Sequence, residues 1–185
     1  EEYLITKGGY EKGNPHDFDR EAALDKETLI RFVKTTQPKK WERYCNIYGS
    51  LAEVNFIKRF SKEVSTNGLL AVLRRGFKDR GIEFRVCYFK PETSINEETV
   101  KLYNQNKLHC TRQLHYSLLN ENSIDIVLFL NGIPVVSMEL KCQFTGQTVL
   151  NAIDQYKFDR AGRDAIFEFR TEYWSILQWI YMKFI

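Results

Sequence analysis

The sequence lacks paired cysteines, long apolar runs and a phosphate-binding loop. Its four cysteines form no CxxC pair and have no companion histidine cluster, which argues against a zinc site or a disulfide framework and favours a reducing cytoplasm. No apolar run reaches the roughly 18 to 20 residues of a membrane-spanning helix, and no charged-then-apolar leader opens the chain, so we expect a cytoplasmic protein without a membrane partner. The run Gly-x-x-x-x-Gly-Lys-Ser/Thr is absent, so we expect no ATP site of that kind.

The composition indicates one folded domain. The chain has 185 residues, of which 43% are hydrophobic and 14% aromatic, enough for one sizeable core. A charged fraction of 28% with balanced signs and only four prolines argues against disorder beyond the first dozen residues. The net charge of +3 permits nucleic acid as a partner but does not require it.

Hydrophobic periodicity predicts an α/β fold with a helical N-terminal portion. Apolar positions at helical spacing predict a series of helices over residues 25–73. After Gly81 the period changes to two, first over Ile82–Phe89 and then, more weakly, over Cys110–Tyr116, so we expect the sheet to begin here. A polar stretch between these segments, residues 96–105, has a helical pattern.

The strongest local signal is the run SIDIVLFLNGIPVVSMELK, residues 123–141. Two apolar segments joined by Asn131-Gly132 are typical of a β-hairpin with its turn at that dipeptide. Both strands are apolar on both faces, as in central strands. The following segment, Thr145–Phe158, has apolar residues at helical spacing and is expected to pack back on the hairpin.

The hairpin carries three charged residues in an apolar setting: Asp125, Glu139 and Lys141. Such charges are costly to bury unless they are paired or bind a metal. Two carboxylates could hold Mg²⁺, or Mn²⁺, and an ammonium beside them would favour hydroxide and offset charge in phosphodiester cleavage. The alternative is that Glu139 and Lys141 are strand-end charges in water, since this short pattern also arises by chance.

The metal site sets a condition on the hairpin loop. A plain two-residue turn would put the two carboxylates on opposite faces of the hairpin. We therefore expect a three-residue loop, Leu130–Gly132, with Gly132 left-handed and Phe129 opposite Ile133.

Long stretches of the chain resemble one known family. The run RQLHYSLLNENSIDIVLFLNGIPVVSMELKCQFTGQTVLNAIDQYKFDR is similar to the nuclease region of type I restriction subunits. Three upstream segments resemble the N-terminal part of the same family: GYEKGNPHDFDREAALD, IRFVKTTQPKKWE and LLAVLRRGFKDRGIEFRVCYFKP. The likeness covers nearly all of residues 9–170.

The resemblance implies a restriction-endonuclease-like PD-(D/E)xK fold, a mixed sheet flanked by helices, in a nuclease domain over 1–170 with its catalytic core at about 82–160. It implies Mg²⁺-dependent cleavage of double-stranded DNA without sequence preference of its own, as in a type I site-specific deoxyribonuclease. Asp125 and Glu139 match the family's metal ligands and Lys141 its lysine.

Further candidates come from the same likeness. Gln155 and Tyr156 match a Gln-Tyr element in which the glutamine helps to hold the site, although packing explains Tyr156 equally well. Glu53 is either an additional acidic residue from an early helix or a solvated glutamate. Arg112 and His115 either contact DNA or satisfy strand ends.

The resemblance also implies missing parts. Restriction subunits continue into an ATP-driven translocase, which we expect to be absent from this chain, and the methylation and specificity subunits select the target. The last fifteen residues, TEYWSILQWIYMKFI, depart from the family, whereas a shifted reading frame permits RILVHFAVDLYEVYM. We therefore expect a frameshifted, unselected tail at 171–185, with a partner-docking amphipathic helix as the alternative. The alternative function for the whole chain is a catalytically idle remnant that only binds DNA or the other subunits.

Overall fold

The computed structural model describes residues 1–93, 96–140 and 164–168. The α-helices in these ranges are α1 Glu2–Thr6, α2 Lys26–Thr36, α3 Pro38–Tyr48, α4 Ala52–Asn67, α5 Leu69–Arg75, α6 Glu97–Asn104 and α7 Ala165–Glu168, and short 3-10 helices lie at Pro15–Asp17 and Gly49–Leu51. The strands are β1 Glu11–Lys12, β2 Phe77–Asp79, β3 Ile82–Phe84, β4 Leu108–His115, β5 Ser123–Leu130 and β6 Ile133–Met138. No helix in the described part is long and apolar enough to cross a membrane.

The helical N-terminal portion is confirmed, with α2 to α5 following one another as the periodicity predicts. Asp25 caps α2 by accepting a hydrogen bond from the Thr28 N–H at 2.9 Å, and Pro38 begins α3 where its missing N–H costs nothing. The expected helix over residues 96–105 forms as α6, capped by Asn96.

Aromatic side chains form the core of the helical portion. Trp41, Tyr44 and Phe56 from the helices pack against Phe77 and Phe84 of the β2–β3 hairpin, with ring centroids mostly 5–6 Å apart. Edge-to-face contacts of this kind stabilise beyond the area that they bury.

The segment Ile82–Phe89 was expected to begin the main sheet, and that expectation is wrong. Only Ile82–Phe84 is a strand, and it pairs antiparallel with β2 in a separate two-stranded sheet. The two strands carry Phe77 and Phe84 into the helical core. The small hairpin therefore belongs to the helical portion of the molecule.

The main sheet is mixed, which confirms the α/β class. Within the described residues its order is β1-β4-β5-β6, with β1 parallel to β4 and the other neighbours antiparallel. Strand β5 is central and buried on both faces, as expected. Strand β6 is the last strand of the described sheet, and three of its six residues are half-buried, so the burial on both faces that was expected of both strands is seen for β5 but not throughout β6.

Asn131 joins the tip of the β5–β6 hairpin to the rest of the fold. This fully buried side chain accepts a hydrogen bond from the Lys107 N–H at 2.7 Å and donates to the Val86 carbonyl at 2.8 Å. Beside it, the Gly132 carbonyl accepts from the Asp25 N–H at 2.9 Å. These bonds fix the hairpin tip against the start of α2 and the segments around Val86 and Lys107.

Candidate active site

The hairpin turn differs from the loop that the sequence suggested. Asn131 and Gly132 have φ of 53° and 82°, and the Leu130–Ile133 pair closes a two-residue turn around them. Positive φ at both central residues is the conformation that Asn-Gly favours in hairpins. The expected three-residue loop, with Phe129 opposite Ile133, is therefore wrong, although Gly132 is left-handed as expected.

A β-bulge follows the turn in β6. Leu128 pairs with Val136 whereas Phe129 pairs with Pro134, so Val135 is an extra residue on the β6 side. One extra residue moves the rest of the strand by one position and exchanges the faces that its side chains take. Proline, which lacks an N–H, is tolerated at such a bulge.

The bulge brings the backbone positions of the two predicted acidic residues side by side. Ile126 pairs with Met138, so Asp125 and Glu139 are the next residues along the two strands. Residues directly opposite each other in an antiparallel pair share a face of the sheet. The Leu140 N–H donates to Asp125 Oδ2 at 2.7 Å, which ties the chain after Glu139 to the start of β5.

Asp125 has donors on both carboxylate oxygens. Besides the Leu140 N–H on Oδ2, Gln113 Nε2 donates to Oδ1 at 3.0 Å. Asp125 is half-buried, and Glu139 is 6% exposed. Burial of a carboxylate is unfavourable unless hydrogen bonds or a cation hold it, and these two donors hold Asp125 in place.

The donor set fits a hard divalent cation. Such ions take oxygen ligands, and a site with two protein carboxylates leaves positions for water and substrate oxygens. Across the described ranges, no group of three or more His, Cys, Asp or Glu residues could hold a metal. Lys141, Gln155 and Tyr156 lie outside the described residues, as do the expected helix over Thr145–Phe158 and the tail at 171–185.

Glu53 lies in the first turn of α4. Its carboxylate pairs with Lys34 Nζ at 2.5 Å, and 57% of its side chain is exposed. Both residues line a groove between α2 and α4. The described contacts of Glu53 are thus those of a solvated, ion-paired glutamate.

Arg112 and His115 are both on β4. The Arg112 guanidinium lies 3.3 Å from the Glu1 carboxylate, and His115 Nδ1 lies 3.0 Å from the carbonyl oxygen of Glu121. Arg112 is exposed and His115 is half-buried. Both side chains therefore interact with other residues of the domain. On β4, His115 is two positions after Gln113, the residue that contacts Asp125.

Sequence reasoning did not single out Gln113. Its contact with Asp125 depends on the pairing of β4 with β5, which places residue 113 opposite residue 125. A lone glutamine in a weakly patterned strand carries no signal of its own. Only the strand register could have found it.

The fold and the acidic pair define an α/β domain with a candidate metal-binding hairpin at one end of a mixed sheet. A family model described as "Type I restriction enzyme R protein N terminus" matches residues 2–180, and the chain belongs to this family. The family resemblance found in the sequence is thereby confirmed. No curated protein and no solved structure matches the chain.

Proposed function

We propose that the chain is a DNA endonuclease domain of the PD-(D/E)xK type, acting in a type I restriction-modification system. It hydrolyses phosphodiester bonds in double-stranded DNA, with Mg²⁺ or Mn²⁺ and without sequence preference of its own. Membership of the family of type I restriction enzyme R proteins supports a role in a restriction-modification system. The observation that supports the chemistry is the bulged register, in which Ile126 pairs with Met138, so that Asp125 and Glu139 follow as the next residues of the two strands.

The chain's own residues have distinct roles in this proposal. Asp125 and Glu139 hold the divalent cation, which when bound polarises a phosphoryl oxygen and lowers the pKa of its water. The Leu140 N–H keeps one Asp125 oxygen in place. Lys141, two residues after Glu139, is assigned from sequence spacing to offset negative charge on the attacked phosphate, and Gln155 is assigned from the family resemblance to support the site.

Targeting belongs to other subunits in this proposal. The methylation and specificity subunits of the parent enzyme would bring the domain to its DNA in the cytoplasm. The alternative is a catalytically idle domain that binds only DNA or those subunits. The nuclease domain and the idle domain differ in whether the isolated chain cuts DNA.

The test combines calorimetric titration of the full chain with Mn²⁺ or Mg²⁺ and a plasmid-nicking assay. Asp125→Asn should weaken metal binding by at least about tenfold and abolish nicking, because it removes a charged ligand. Asp19→Asn is the matched control, since Asp19 is also partly exposed and accepts a backbone hydrogen bond, from Ala22 at 2.7 Å. That variant should keep wild-type metal affinity and nicking.

The outcomes distinguish a nuclease domain from an idle domain. Metal binding and nicking that disappear together in Asp125→Asn support a working nuclease site. Metal binding without nicking by the wild type favours the idle domain or a site that needs its partner subunits. A wild-type chain that binds neither ion contradicts the proposed function.

A further inference from the structure

Gln113 lies opposite Asp125, between two regular pairs of the β4–β5 register. Its side-chain Nε2 donates to Asp125 Oδ1 at 3.0 Å, while the Leu140 N–H holds Oδ2 from the other side at 2.7 Å. Two donors on two oxygens define the orientation of a carboxylate plane, which a single donor leaves free to rotate. We propose that Gln113 is a positioning residue that orients Asp125 for the metal, an inference that rests on the proposed function.

The amide of Gln113 is itself oriented by Ser123. The Ser123 hydroxyl donates to Gln113 Oε1 at 3.0 Å. A side-chain amide has a donor end and an acceptor end, so a bond to its oxygen turns the NH₂ group toward the remaining partner. Ser123, Gln113 and Asp125 thus form a short chain of hydrogen bonds that ends on the metal-binding carboxylate.

The backbone at Gln113 has a conformation that glycine would adopt more easily than glutamine. Gln113 has φ of 48°, in the left-handed region that disfavours every residue except glycine. The sheet changes faces here, because Leu114 and Ile124 pack with one core cluster while Ile126 packs with Cys110 in another. Glycine would adopt this conformation without strain, so the glutamine supplies the amide at a backbone cost.

A purely structural role predicts a different result from a positioning role. Gln113 is exposed, and a hydrogen bond at an exposed position contributes little to the free energy of unfolding. Gln113→Gly removes the amide and also relieves the left-handed backbone. The variant should therefore be at least as stable as the wild type, and its effect on metal binding then reports on the orientation of Asp125.

The matched control is Arg80→Gly in the β2–β3 turn. Arg80 is exposed and has φ of 47°, nearly the same as Gln113, but it donates to the Tyr48 hydroxyl at 3.3 Å. Both variants make the same backbone change and remove an exposed polar side chain. Only Gln113→Gly removes a contact with Asp125.

The experiment measures Mn²⁺ affinity and the thermal midpoint of the full chain. Gln113→Gly should raise the Kd for Mn²⁺ by about tenfold or more, the effect expected when an outer partner of a metal ligand is lost, without lowering the midpoint. Ser123→Ala should raise the Kd by less, and Ser123→Thr, which keeps the hydroxyl, should restore it. Arg80→Gly should leave the Kd for Mn²⁺ unchanged. An unchanged Kd in Gln113→Gly overturns the inference.

A metal-free measurement separates this inference from the proposed function. The side-chain NH₂ signals of Gln113 should shift in NMR spectra when Asp125→Asn is introduced, whereas those of the distant Gln105 should not. If the wild type binds no metal, the proposed function fails. In that case a responsive Gln113 signal still supports the orienting contact, and an unresponsive one overturns it.

Discussion

Replacement of Asn131 by glycine tests how the hairpin tip is held. The Asn131 side chain makes three hydrogen bonds: from the Lys107 N–H at 2.7 Å, to the Val86 carbonyl at 2.8 Å and to Asn106 Oδ1 at 3.0 Å. Glycine keeps the turn, because it adopts φ near 53° freely. Asn131→Gly therefore removes the hydrogen bonds and leaves the backbone conformation in place.

The magnitude follows from the partners that lose their bonds. Asn106 Oδ1 still accepts from the Tyr88 N–H at 3.2 Å, whereas the Lys107 N–H and the Val86 carbonyl each lose the Asn131 partner. An unsatisfied buried group costs about 1–3 kcal/mol, so with partial solvation we expect a loss of about 2–4 kcal/mol. For a domain of this size that corresponds to a fall of roughly 4 to 16 °C in the melting temperature.

Urea unfolding followed by tryptophan fluorescence, with thermal melts alongside, measures this loss. Asn122→Gly is the control, because Asn122 is exposed on the β4–β5 loop and should change stability by no more than about 0.5 kcal/mol. A loss below about 1 kcal/mol in Asn131→Gly would refute the reasoning, since it would mean that these bonds exchange freely with water.

Three other predictions concern stability. Gly132→Ala should lower the urea midpoint more than Gly81→Ala, although the two glycines have nearly the same φ, +82° and +80°. An added Cβ would lie 2.3 Å from the Asp25 carbonyl oxygen at Gly132, whereas at Gly81 it would meet open space. Burial lowers the pKa of His109, so stability is fully present above the unfolded pKa near 6.5 and falls as pH decreases through the folded value. His109→Gln should reduce this acid-side slope by up to about 1.4 kcal/mol per pH unit in urea titrations between pH 7 and 5. Burial, then the Asp79 carboxylate, raises the pKa of Tyr44 from its usual 10.0, so the folded state keeps a proton that the unfolded chain loses, and stability falls as pH rises above 10. Tyr44→Phe should reduce that alkaline dependence, measured by urea titrations between pH 9 and 11.

The helices were predictable because their signals are local. The spacing of apolar residues and the caps at Asp25 and Asn96 lie within a few residues of the helices that they specify. The family could also be recognised from the sequence, because the resemblance extends over long runs of residues. Sheet membership is different, since it depends on partners far away in the sequence. Thus Ile82–Phe84 has the pattern of a strand but pairs with β2, and the two residues of β1 pair with β4 about a hundred positions later.

The candidate site was predictable in its residue types but not in the way the fold assembles it. Asp125 and Glu139 stand out as charges within apolar strands. Their shared face depends on the bulge at Val135, which periodicity cannot show because it looks like one more apolar residue. Pro134 is the signal that was available, since proline inside an apolar run indicates an edge strand or a bulge.

The anchored turn explains why the register changes inside β6 rather than in the loop. Five residues, 126–130, separate Asp125 from the turn, whereas six, 133–138, separate Glu139 from it. Strand side chains alternate faces, so unequal counts put the two carboxylates on opposite faces unless one residue is left unpaired. A three-residue loop would absorb that residue, but the hydrogen bonds of Asn131 and the Gly132 carbonyl hold the turn in its two-residue form. The extra residue must then be accommodated along the strand. The missing N–H of Pro134 and the position of β6 as the last strand of the described sheet make the bulge least costly at Val135, so the contacts that fix the hairpin tip also determine which face Glu139 takes.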